Sequence, residues 1–223
     1  MTSVVKTVMS SSQDELIAAM DKLRSDSVAV QNEGAQIALQ AGKAALPHLL
    51  PLLQEQKAAT RAQAMYVISR VGGSEATEAF KHGLQDDDES VRAYAAEGLV
   101  RANDPAALSA CLKTLNDAPD LTHLDMTPAV ESLSEMGLEA VSPLLDLLMD
   151  DDEMTRLHAQ RALEGIVNRR HGFQSGRGFP TPADEQDVRN EWQSNGSYDY
   201  AAPVAARAAA VEKWRTWLEE QKQ

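Results

Sequence analysis

Five histidines, one cysteine and two acidic runs are the groups in this 223-residue chain with chemistry to offer. His48, His82, His123, His158 and His171 fall in separate stretches, without the close His/Cys/Asp/Glu spacing that builds a zinc or iron site, so no metal ligand is assigned. Cys111 stands in the apolar run ALSACLKTL. A thiol there acts as a small buried hydrophobe, and no His or Asn/Asp partner is identifiable that would make it a nucleophile. The runs Asp86-Asp87-Asp88-Glu89 and Asp150-Asp151-Asp152-Glu153 offer carboxylates to calcium or magnesium. A cation cage, however, needs about six or more converging oxygens and a turn-enforcing glycine, and neither run contains one. Both read as helix N-caps in solvated turns, and together as an acidic edge able to dock a basic partner. The glycine-rich stretch from His171 to Phe179 neither follows a strand nor matches a phosphate-binding loop, and reads as a flexible connector. No catalytic residue and no cofactor site is assigned, and the chain is expected not to be an enzyme.

Charge narrows the partners. Lys and Arg number 21 against 34 Asp and Glu, a net charge of −13 that opposes the counterion-release attraction to nucleic acid or anionic lipid. Neither nucleic acid nor a membrane is therefore an expected partner. The apolar fraction of 43% is ample for a core. A single cysteine cannot close an internal disulfide, and the opening MTSVVKTVMSSSQDEL lacks the apolar core of a secretory signal. No stretch approaches the roughly 20 apolar residues of a membrane span. A cytoplasmic location is expected.

The elements that carry these groups repeat. No segment shows β-branched alternation, and the stretch before residue 171, rich in Ala, Leu, Val and Met, reads as all helix. With Arg92, Ala95 and Leu99 as landmarks, Arg61, Ala64 and Ile68 match 31 residues earlier, and Gln31, Gly34 and Ala38 another 30 back. Forward, Met126, Ala129 and Leu133 follow after 34, and Arg156, Ala159 and Leu163 after 30 more. Each of the five copies is preceded by a second apolar helix, such as AVSPLLDLLM from Ala140. A single hairpin cannot cover its own apolar stripe, so copies must stack. Pro47, Pro51 and Pro143 are expected to begin or bend the first helices in which they fall.

The run Ala140-Val141-Ser142-Pro143-Leu144-Leu145-Asp146-Leu147-Leu148, then Asp152, Thr155-Arg156, Ala159 and Leu163, resembles the HEAT repeat family in its compact bacterial form, also found in phycobilisome lyases. Gln31 and Met126 depart from the arginine usual there, and the fourth copy carries extra residues around Asn116 to Thr122. The resemblance implies an all-α fold, an α-solenoid of about five HEAT-like helical hairpins over residues 13–170. A flexible N-terminus of residues 1–12 precedes it. Residues 171–223 follow as a loop and two short helices that cap the array. HEAT-like hydroxylases bind iron through paired His-Glu dipeptides, which this chain lacks, and HEAT-like DNA glycosylases need a basic groove that its charge does not supply.

In this family the second helix of each pair lines a concave face. With Glu97 and Arg101 as the template pointing away from the core, the equivalents are Gln36 and Gln40, Tyr66 and Arg70, Glu131 and Glu135, and Arg161 and Gly165. This ladder mixes charge signs and exposes an aromatic, which suits a selective protein contact. The tail reads as a helix with Thr181 as N-cap and Pro182 first, ending at Asn195-Gly196, then a helix opened by Pro203 whose apolar side is Val204, Ala208, Val211 and Trp214 to Trp217. The expected function is a non-enzymatic scaffold or adaptor that binds another protein by the concave face, the acidic edge or both. A bilin lyase or chromophore-handling chaperone is the alternative implied by the resemblance.

Overall fold

A computed structural model describes residues 2–120 and 122–222, with side chains from residue 13 onward. The segment 1–12, expected to be flexible, lies outside the residues whose side chains are described. The chain divides into two compact units, Met1–Ala110 and Cys111–Gln223, a division that falls within the fourth repeat copy. Among the described residues there is no strand, only an isolated bridge between Gln174 and Gly178. The fold class is all-α, of the α-solenoid type.

The first unit holds three hairpins. Helix α1 (Thr2–Leu23) pairs with α2 (Val28–Ala41). Leu16, Ala19, Met20 and Leu23 recur at the three- and four-residue spacing of one helical face, and all are buried. Gly34 lets the two helices approach, because a Cβ there would stand 2.7 Å from the Ala19 carbonyl oxygen. In the second hairpin the proline pair breaks the expected first helix. Only α3 (Leu46–Leu49) is α-helical, between 3-10 turns at Gly42–Ala45 and Leu50–Gln54, and Pro47 and Pro51 each open one of these pieces. Helix α4 (Ala58–Val71) completes it, and α5 (Thr77–Gly83) with α6 (Glu89–Arg101) makes the third. Phe80 of α5 is fully buried because Gly98 of α6 leaves room: a Cβ there would meet the ring at 2.4 Å.

Helix α7 (Ala107–Lys113) carries the chain across the division and, with α8 (Pro128–Met136), forms the fourth copy; α9 (Leu138–Leu147) and α10 (Glu153–Arg170) form the fifth. Pro143 sits inside α9. The landmark positions Ala64, Ala95, Ala129 and Ala159 are all buried, as are Ile68, Leu99, Leu133 and Leu163. The small residues admit the neighbouring helix and the larger ones fill the stripe.

Helices α11 (Pro182–Ser194) and α12 (Val204–Glu220) follow. Thr181 caps α11 in a reciprocal capping box with Asp184. α12 packs on α9, burying Val211, Trp214 and Trp217. Val204 departs from the expected apolar side: in the first turn of α12 it is 61% exposed, beyond the reach of α9. The segment expected as a flexible connector is a closed turn. Gln174 and Gly178 exchange backbone hydrogen bonds, Phe173 and Phe179 lie 5.1 Å apart, and Gly176 and Gly178 adopt positive φ that closes the loop.

Candidate interaction surface

The repeat arginines tie each hairpin's turn to its second helix. Arg61 Nη1 donates to the carbonyls of Glu55 and Gln56, both at 3.0 Å; Arg92 Nη1 to those of Asp86 and Asp87, both at 3.0 Å; Arg156 Nη1 to those of Asp150 (2.9 Å) and Asp151 (2.8 Å). They hold carbonyls of the turn beyond the end of the preceding helix, which have no helical partner. Gln31 does the same with its amide, which donates to Ser25 O at 2.9 Å, helped by Lys57 Nζ at 2.7 Å from the same oxygen. At the fourth copy, where Met126 stands, Thr127 Oγ1 donates instead to Leu115 O at 2.9 Å.

The acidic runs are caps. Asp88 accepts from the backbone N–H of Ser90 and Val91, and Asp152 from that of Thr155, while Asp86 and Asp150 accept from the N–H two residues on. Asp86 also takes a bidentate pair from Arg61, at 2.8 and 2.7 Å. That hydrogen bond, with a smaller one from the Asp88 N–H, holds the Asp86 carboxyl below its ordinary value against the opposing effect of burial. The resulting stability is present above the unfolded-state pKa of about 3.9 and is lost as pH falls through the lower folded value. The urea midpoint of the native chain is therefore expected to fall more steeply below about pH 4 than that of Asp86→Asn. Parallel curves would remove this pair as a contributor.

The histidines do not converge. His82 is exposed, His123 meets Thr122 at 2.9 Å, His171 meets Glu191 at 2.6 Å, and buried His158 links Asn116 (2.7 Å) to the carbonyl of Leu124 (2.9 Å). His158 thus pins the extra residues of the fourth copy onto α10. Among the described residues no group of three His, Cys, Asp or Glu is placed to hold a metal. Cys111 is fully buried and forms no disulfide.

Of the ladder, the first unit gathers four members. Arg70 lies over the Tyr66 ring, 3.9 Å from its centroid, and donates to Glu97 Oε2 at 3.2 Å; Arg101 Nε donates to Glu97 Oε1 at 3.1 Å. Tyr94, which the ladder missed, packs edge-on against Tyr66 with centroids 5.3 Å apart. Burial pushes its phenol above the ordinary value, against the pull of the Arg70 guanidinium. Its signal was present: Tyr66 and Tyr94 are two of the three aromatic residues before residue 171. Gln36 and Gln40 are exposed on α2, one turn apart. In the second unit Glu131 pairs with Arg169, which the ladder also missed, and Glu135 lies 3.9 Å from the same guanidinium. Arg161 is ion-paired at 2.6 Å with both Asp125 and Glu164. Glu131, Arg169, Arg161, Asp125 and Glu164 line a cleft of about 370 Å³ together with Phe173.

Residues 77–164 match the family model of HEAT repeats. A search of curated proteins finds no match. Among solved structures, the complex of CpcE and CpcF of phycocyanin lyase from Nostoc sp. PCC7120 is similar, with 18% identity, 89% of this chain and 96% of that chain covered, and a TM-score of 0.39. A crystal structure of an engineered protein is also similar, with 15% identity, coverage of 90% and 96%, and a TM-score of 0.40. The matched region, running from α5 into α10, carries HEAT repeats, and the buried landmarks that recur in the copies before it are consistent with a HEAT-like repeat protein.

Proposed function

We propose that the chain is a non-enzymatic scaffold that binds another protein through the exposed face of its second helices, with the acidic turns as a neighbouring contact. The observation that carries this reading is the cluster on α4 and α6: two tyrosines, two arginines and Glu97 hold one another in fixed geometry at the surface. Preorganised aromatic and guanidinium groups are the residue types that dominate binding at protein interfaces. The candidate reactive groups, by contrast, serve as caps, turn ties and packing. A cytoplasmic setting belongs to the same proposal, supported by the buried thiol of Cys111.

The test is copurification from the native host with mass spectrometry, repeated with Arg101→Glu and with Glu135→Lys, which alter exposed groups outside the buried stripe. Partner recovery is expected to drop about tenfold for at least one variant while the helical circular dichroism is retained. Undiminished recovery by both variants would remove the second-helix face.

A further inference from the structure

A cleft of about 600 Å³ opens in the first unit between the second and third hairpins. It exists because the segments that should close it are short: Pro51 turns one into a 3-10 coil, and α5 is only seven residues long. Leu50 and Leu53 face it from one hairpin and Ala79 from the other, over Met65 and Val91. Leu50 is 37% exposed, an aliphatic side chain left in water on the rim of a hollow lined by both apolar and polar groups. We propose that this cleft docks an extended segment of a protein partner that combines aliphatic with basic side chains, a proposal that rests on the scaffold reading above.

Charge selects the occupant. At the turn-side end three carboxylates (Glu55, Asp86, Asp87) line the cleft with one guanidinium, Arg61, and Arg24 reaches Glu55 from outside the lining. Glu55 is tied to Arg24 at 2.8 Å and Asp86 to Arg61, so the excess negative charge resides on exposed groups such as Asp87. A Lys or Arg of the partner meets that excess, while an acidic segment is repelled. The apolar floor takes an aliphatic side chain, and the Gln54 and Gln85 carboxamides on the lining offer donors and acceptors to an extended backbone. The volume falls in the range of about 300–1,000 Å³ typical of ligand clefts, room for a few side chains of a linear segment.

The test uses the full chain labelled with ¹³C at its methionine methyls, which places one reporter, Met65, in the cleft and another, Met20, in the first hairpin. The probe is the peptide Ac-Lys-Leu-Arg-Leu-Lys-NH2, with Ac-Glu-Leu-Glu-Leu-Glu-NH2 as its charge-reversed control. The basic peptide is expected to shift Met65 saturably and leave Met20 in place, and the acidic one to shift neither. Asp87→Lys is expected to weaken binding about tenfold, and Ala79→Trp to abolish it by filling the hollow. Met65 unmoved by the basic peptide, or moved equally by both peptides, overturns the proposal. Capture of a host partner that survives Asp87→Lys and Ala79→Trp undiminished also overturns the cleft assignment while leaving the scaffold reading intact. Failure to capture any partner counts against that reading itself.

Discussion

Trp214→Ala is expected to destabilise the second unit by about 3–5 kcal/mol, seen as a lower urea midpoint. Trp214 is fully buried and lies between two other indoles, 5.1 Å from Trp192 and 5.1 Å from Trp217. Deleting it leaves a void flanked by two rings, one of which, Trp217, is itself anchored. Trp217 Nε1 donates to Glu191 at 2.6 Å, and Arg170 lies 5.2 Å from the Trp217 ring centroid. Such a site cannot collapse freely, which places the cost at the upper end for aromatic truncation. Trp214→Phe makes a sharper test. The Trp214 indole N–H is buried without a hydrogen-bond partner, so the native residue already carries a desolvation cost that Phe does not. Phe is expected to lose only about 1–2 kcal/mol, part of the lost volume being offset by removal of the orphan donor. A change below about 1 kcal/mol for Trp214→Ala would show that α12 does not pack as described.

The repeat was legible in the sequence because its landmarks are burial constraints. A helix that must approach another closely at one position tolerates only Gly or Ala there, and Gly34, Ala64, Ala95, Ala129 and Ala159 record that constraint at the period of the fold. The start of α11 was legible for a similar reason, since Thr181, Pro182 and Asp184 satisfy local backbone geometry that needs no tertiary knowledge. What the sequence hid depends on contacts between copies. Tyr66 and Tyr94 sit at different register positions of their repeats, so aligning copies could not pair them, although α4 and α6 bring them edge to edge. Arg169 escaped the ladder because it lies beyond the template positions, at the far end of the longest second helix, where it reaches Glu131. The stretch from His171 to Phe179 reads as flexible because its three glycines remove local preference; the Phe173–Phe179 pair restores order around the closed turn at 174–178 from outside that local rule. The cleft between the second and third hairpins follows from Pro51, which ends α3 early, and from the shortness of α5; sequence marks the proline as a bend without fixing the space that the bend leaves.

Arg156→Ala is expected to cost about 2–4 kcal/mol. Arg156 holds two turn carbonyls, is nearly buried, and its Nε also donates to Tyr200 O at 3.0 Å, so one guanidinium joins the turn before α10 to the segment before α12. The neighbouring contacts reinforce that junction: Tyr200 N–H donates to Gln160 Oε1 at 2.9 Å, and the Tyr198 hydroxyl donates to Leu148 O. Removing the guanidinium strands three part-buried acceptors, of which the Tyr200 carbonyl lies on a different segment from the turn, and a desolvated acceptor costs more unpaired than its bond contributed. A lysine cannot restore it, because a single ammonium on a flexible stem does not present the planar fork that reaches two turn carbonyls and a third on another segment. Glutamine gives the discriminating outcome, since Gln31 already serves a turn carbonyl in the first hairpin. Arg156→Gln is expected to retain one turn bond and lose the Tyr200 link, placing its urea midpoint between those of the native chain and Arg156→Ala. Were Arg156→Gln and Arg156→Ala equally destabilised, the tie to the turn would contribute nothing beyond the tail contact, and the common role assigned to the repeat arginines would fail at this copy.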